Sequence, residues 1–150
     1  MDFEITESVT VAASPEVVFD LITDLDRLPE WNREIRAISE QPAALTPGAQ
    51  WVVEIHAMGI RWQSRSTVHE IDRAKGLFAY RSQPDNGNPS YADWMWEITP
   101  GPNGTQVTVR LSARPKTFWR RYLLSNVRSP HLRRAVRTSL QSLTNERIPA

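Results

Sequence analysis

Residues 3–12 place Phe3, Ile5, Glu7, Val9 and Val11 on one parity and Glu4, Thr6, Ser8 and Thr10 on the other, which predicts a half-buried strand. The period then lengthens. Ser14-Pro15-Glu16 supplies an N-cap, a proline at the first helical position and an acid in the first turn, and Val17, Val18, Leu21 and Ile22 follow at helical spacing. Asp24 is placed to cap a second short helix through Leu25 and Leu28, and the chain turns out again between Pro29 and Trp31. Six further strands are expected at about 34–40, 50–57, 60–71, 77–83, 91–99 and 105–113, by the period-two alternation of their residues. The breaks between them carry turn chemistry: Pro47-Gly48, Met58-Gly59, the Asp72–Gly76 turn, the Pro84–Pro89 loop, and Pro100–Gly104, where Asn103-Gly104 reads as a type I′ signal. Connections this short require antiparallel neighbours, so the later strands form a meander. From Lys116 the period becomes helical, with Phe118, Trp119, Tyr122 and Leu123 on one face and Leu132, Val136, Leu140 and Leu143 continuing it. Ser129-Pro130 should kink or restart that helix, because proline has no N–H to donate.

This order predicts an α+β fold in which an antiparallel sheet of about seven strands curves around a long C-terminal helix, with two short helices after the first strand. One face of the sheet collects Trp51, Val53 and Ile55, then Ile60, Trp62, Ser64, Ser66 and Val68, while Glu54, His56, Arg61, Arg65 and His69 fall on the other. Phe78 and Tyr80, Trp94, Trp96 and Ile98, and Val107, Val109 and Leu111 extend the apolar side. That side must be covered, and the last helix, with Phe118 and Tyr122, is the long amphipathic element available to cover it. Two small residues among large rings, Ser64 and Ser66, leave either a hollow lined by aromatics and hydroxyls or a packed core with the serines bonded to backbone. Periodicity does not separate these two outcomes.

Composition narrows the chemistry. A chain of 150 residues fits one domain, taken here as residues 1–150. It contains no cysteine, which excludes disulfides, thiolate nucleophiles and cysteine-held zinc. The start of the chain lacks the basic and apolar run of a signal peptide, and no stretch approaches the roughly 18 apolar residues of a membrane span, so a cytoplasmic location is the expectation. The net charge of +1 hides a segregation: no acid occurs between Glu97 and Glu146, and Arg120, Arg121, Arg133, Arg134 and Arg137 lie in that interval. They form either a solvated helix face or a weak contact for anionic surfaces; no dedicated nucleic-acid motif accompanies them.

The segment Ala13-Ser14-Pro15-Glu16-Val17-Val18-Phe19-Asp20-Leu21-Ile22-Thr23-Asp24, followed by Leu28-Pro29-Glu30-Trp31-Asn32, resembles the N-terminal signature of the START-like (SRPBCC) superfamily, in its polyketide cyclase/dehydrase branch. The order strand, two helices, six strands, long helix extends the resemblance over the whole chain. It implies a helix-grip domain with a cavity for lipids, sterols, polyketides or other apolar molecules between the sheet and the last helix. Such a likeness of fold fixes no chemistry.

The three histidines, His56, His69 and His131, lie on different elements without metal-ligand spacing, so no metal is expected. No nucleophile elbow, phosphate loop or dinucleotide fingerprint is present, and no cofactor is expected. Acid–base chemistry in the cavity would fall to Tyr80 or Tyr122, with Tyr91, Asp93, Glu70 and Asn126 as further polar groups; Glu70 lies on the inner parity at its strand end. Three functions follow: a carrier or sensor of an apolar small molecule, foremost; a cyclase or dehydratase; and a module for RNA, ribosomes or anionic membranes.

Overall fold

A computed structural model describes residues 3–32, 34–57, 59–85, 90–114, 137–138 and 140–142. Strand β1 (Phe3–Val11) leads into helix α1 (Pro15–Thr23), a 3₁₀ turn (Leu25–Arg27) and the one-turn helix α2 (Leu28–Trp31). Six strands follow: β2 (Ile35–Glu40), β3 (Gln50–Ala57), β4 (Ile60–Asp72), β5 (Leu77–Pro84), β6 (Tyr91–Gly101) and β7 (Gly104–Arg114). They form one seven-stranded sheet in the order β1-β7-β6-β5-β4-β3-β2, every pairing antiparallel.

This topology positions the site. β1 and β2 follow one another in sequence but occupy opposite edges of the sheet, so the helices joining them must cross its face. The crossing begins where the sequence says it should. Ser14 caps α1 with its Oγ 3.4 Å from the Val17 N–H, and Pro15 opens the first turn. Asp24 occupies the next cap position, but its side chain makes no capping bond; the turn is held through its backbone, from Asp24 N–H to the Leu21 carbonyl at 3.3 Å. The face that α1 turns toward the sheet carries Val18, Phe19, Leu21 and Ile22, all buried, and the connector continues with Leu25, Leu28 and Trp31, also buried. Each such aliphatic side chain is worth about 1.5–3 kcal/mol when withdrawn from water. Thr105, on β7, ties the junction down by donating its hydroxyl to the Ala13 carbonyl at 2.6 Å.

The hairpins show one difference from the sequence reading. β6 and β7 pair through Gly101 and Gly104, so the two central turn residues are Pro102 and Asn103. A type I′ turn needs positive φ at both central positions, which proline forbids, so Asn103-Gly104 does not form one. Gly104 is required for another reason. Its φ is +139°, and a Cβ there would stand 2.4 Å from the Val11 carbonyl oxygen.

A second difference lies in β4. The pairing with β5 shifts between Val68 and Glu70, so one residue is inserted and the alternation reverses. Glu70, on the inner parity but at the strand end, is therefore exposed, while Ile71 is paired opposite the buried Phe78 and packs against the core.

The long C-terminal helix expected from Lys116, with its break at Pro130, falls outside the described residues over most of its length. Residues 137–138 and 140–142 are helical, and Leu140 is 2% exposed within the core cluster that unites the inner sheet face with the connector helices.

Candidate functional site

A concavity lies between the inner face of β2–β6 and the connector helices. Its free volume is about 80 Å³, room for a few waters and less than the roughly 300–1,000 Å³ usual for small-molecule sites.

Its floor contains most of the residues singled out in the sequence. β3 contributes Trp51, Val53 and Ile55, β4 contributes Ser64 and Ser66, β5 contributes Phe78 and Tyr80, and β6 contributes Trp94 and Trp96. Cross-strand register explains the grouping: Trp51 pairs with Ser66, Val53 with Ser64, Phe78 with Trp96, and Tyr80 with Trp94. The serines therefore stand where the rings on either side leave room. The rings form a continuous cluster in which Trp51 meets Tyr80 edge-on at 4.9 Å, Tyr80 stacks on Trp94 at 6.1 Å, and Trp96 meets Trp31 edge-on at 5.6 Å.

Three expected wall residues are placed elsewhere. Val107 and Val109 are 0% exposed and belong to the packed core, because α1 lies against β6 and β7 and closes that side. Trp62 shares the inner parity and is half-buried but stops short of the cavity; the next inward position, Ile60, is 57% exposed, so this end of the hairpin has left the core. Phe118, Tyr122 and Asn126 lie outside the described residues. Asp93 and Tyr91 belong to the outer face: Arg81 Nε donates to Asp93 Oδ1 at 2.7 Å, and the Arg81 guanidinium lies 3.9 Å from the centre of the Tyr91 ring. The hydrogen bond to Asp93 holds Arg81 still more firmly in its charged form.

The roof was missed in the sequence. Ile22, Leu25, Leu28 and Trp31 cover the floor, with Asn32, Glu34 and Ile35 at one side and Ser82 extending the β5 wall. Their apolar spacing was legible; their destination follows from the strand order, which sends the connector across the sheet. The connector helices thus cover the site among the described residues, while the last helix, which the sequence reading placed over it, lies outside them over most of its length.

Hydrogen bonding within the cavity is one-sided. Trp96 Nε1 donates to Tyr80 Oη at 3.2 Å and Trp94 Nε1 donates to Ser82 Oγ at 3.1 Å. Burial pushes the Tyr80 phenol up to about 12, against a smaller opposite effect of the Trp96 hydrogen bond. The ring keeps part of its surface exposed, and that surface faces the cavity. Tyr80 is therefore a neutral donor near pH 7 and a poor base. Among the described residues no group of three or more His, Cys, Asp or Glu is arranged to hold a metal ion. His69 is exposed, and His56 lies half-buried with its Nε2 3.1 Å from Glu54 Oε1.

A model of the polyketide cyclase/dehydrase and lipid transport family matches residues 2–146. The chain belongs to this family. Solved structures share its fold across nearly their full lengths. TTHA0849 of Thermus thermophilus is 21% identical with a TM-score of 0.76, covering 95% of each chain. The Zhui aromatase/cyclase of a Streptomyces species is 16% identical with a TM-score of 0.72, covering 97% of this chain and 93% of its own. Major latex-like protein 151 of Panax ginseng is 8% identical with a TM-score of 0.76, covering 99% of each chain. No curated protein matches the sequence significantly. As a member of this family the chain has a helix-grip α+β fold, the class its hydrophobic pattern predicted.

Of the arginines weighed for anionic contacts, Arg137 donates to Glu7 Oε1 at 3.1 Å, so its charge is met within the chain. Arg120, Arg121, Arg133 and Arg134 lie outside the described residues. Among the described residues no helix is long and apolar enough to cross a membrane.

Proposed function

We propose that this family member binds and carries an apolar, ring-bearing small molecule in the cavity beneath the connector helices, as one cytoplasmic domain spanning residues 1–150. The observation that carries this reading is the ring-lined floor: Trp51, Phe78, Tyr80, Trp94 and Trp96 surround Ser64 and Ser66, small residues that leave the middle open. The family description, with its lipid transport, supports the same reading. Native mass spectrometry of the purified protein tests it, by retained guests and by added fatty acids, sterols and polyphenols. One bound guest per chain at micromolar concentration is expected; no guest from any class at that level overturns it.

A second reading, cyclisation or dehydration of a polyketide, is favoured by the family and by the Tyr80 phenol on the cavity wall, a proton-bearing group within reach of a guest. It predicts turnover that Tyr80→Phe or Tyr122→Phe depresses without unfolding the protein. Rates unchanged in both variants reject that assignment.

A further inference from the structure

With about 80 Å³ of free volume, the inner cavity admits a ring-bearing guest only if a wall moves. The floor resists such a movement. β3 pairs with β4 without a break from Gln50 to Ala57, and β5 with β6 from Leu77 to Ser82, so displacing one strand breaks a row of backbone hydrogen bonds at once. The roof is built differently. Its middle is the three-residue turn Leu25–Arg27 followed by the four-residue α2, and neither has a side-chain cap. Asp24, ahead of the turn, is extended at φ −83° and ψ 96°, which separates α1 from Leu25. α1 itself is fastened. Arg73 bonds the Asp20 carboxylate through both terminal nitrogens, its Nη2 at 3.1 Å from Oδ2, and its guanidinium lies 5.9 Å from the centre of the Phe19 ring.

Outside the turn lies a second space. An open pocket with about 330 Å³ of free volume stands between the end of α1, the loop after β2 and the end of β4. Leu45 and Ile71 form its apolar side, and Thr23, Asp24 and Gln41 its polar rim. Leu25 is the one described residue that lines both spaces, and at 6% exposure its side chain separates them. Gln41 Nε2 ties the loop to the turn by donating to Asp26 Oδ1 at 2.8 Å, and both side chains are exposed. Such a bond is exchanged for bonds to water at little net cost.

We propose that Leu25 is the gate of the cavity and the outer pocket its vestibule: the turn Leu25–Arg27 swings about Asp24 when the Gln41–Asp26 bond parts, and the guest passes inward from the side of the β2–β3 loop. This rests on the cavity-binding reading above and adds the route by which the guest arrives. The two spaces joined fall within the range of about 300–1,000 Å³ usual for small-molecule sites, which the inner cavity alone does not reach. A guest on this path meets Leu45 and Ile71 before Leu25, so it leaves water for apolar surface in steps.

The route is tested on the full-length chain with phenylnaphthylamine, a neutral ring-bearing probe whose emission rises on leaving water, followed by stopped flow. The chain has no cysteine, so Asp26→Cys combined with Gln41→Cys gives a single reactive pair, which a short reducible bis-thiosulfonate linker joins. Joining the pair should slow probe association by about tenfold or more, and reduction of the linker should restore it. Leu25→Ala should speed association and dissociation alike by several-fold, so that the rates move further than the affinity. If the joined protein, its link verified by mass, takes up the probe as fast as the reduced one, the guest enters elsewhere and the gate is overturned while the cavity reading stands. No binding of the probe to the unaltered protein at micromolar concentration overturns both. Should Leu25→Ala not fold, the linked pair decides alone, since both of its positions are exposed.

Discussion

Tyr80 shows how position sets the chemistry of a single residue. Its phenol has the ordinary affinity for its proton when unfolded, 10.0, and burial raises it to about 12 in the fold. A raised value means that the folded state holds the proton more tightly, so the stability this gives is complete below pH 10 and is lost as pH climbs toward 12. Ultraviolet titration should therefore show one of the three tyrosines ionising about two units late, and Tyr80→Phe should remove that late step. The serines behave in the opposite sense. Ser66 is 3% exposed on the cavity floor, so Ser66→Leu exchanges a hydroxyl for a larger apolar side chain that fills space there. It should cut the affinity for an apolar probe by about tenfold or more while costing about 1–3 kcal/mol in urea unfolding, the usual range for an enlarged core side chain. Leu111→Ala should do the reverse. That residue is 1% exposed and off the cavity wall, so the truncation should cost about 2–5 kcal/mol in urea unfolding and leave probe affinity as it was.

Among the elements, those whose identity depends only on local pattern were legible in the sequence. The strand boundaries follow from alternation, and α1 from a serine, a proline and four apolar residues at helical spacing. What failed locally failed for a stated geometric reason. Parity counted along β4 puts Glu70 on the inner side, and a single inserted residue at the bulge after Val68 reverses the count. No periodicity announces a bulge, because its cause is the fit of β4 to β5. The β6–β7 turn was misread because Asn103-Gly104 carries the usual signature, while the register puts Pro102 and Asn103 at the centre. The glycines themselves matter for tertiary reasons. At Gly76 φ is +66° and a Cβ would stand 2.0 Å from the Ile98 carbonyl oxygen, which accepts no such approach. Gly76→Ala and Gly104→Ala should each destabilise by about 1–3 kcal/mol or more in urea or thermal unfolding, since strained backbone and backbone contact act together. A change within a few tenths of a kcal/mol at either position would show that the neighbouring backbone yields freely.

Across the whole molecule, the end of the chain is part of the same core as its beginning. Leu140 is 2% exposed within the apolar cluster, and Arg137 bonds Glu7 on β1. Leu140→Ala should therefore cost about 2–5 kcal/mol, as a strand position would, whereas Arg137→Ala should cost no more than about 1 kcal/mol, because its partly exposed ion pair is screened by water. The sequence determined which residues form strands and helices and which side of each is apolar, since these depend on spacing along the chain. It also determined that large rings and two serines share one face. Only the tertiary structure decided that β1 and β2 lie at opposite edges, that the connector must consequently roof the rings, and that Trp96 donates its indole N–H to Tyr80 on the neighbouring strand. Strand order and hydrogen-bond satisfaction are properties of neighbours distant in sequence, and no local pattern encodes them.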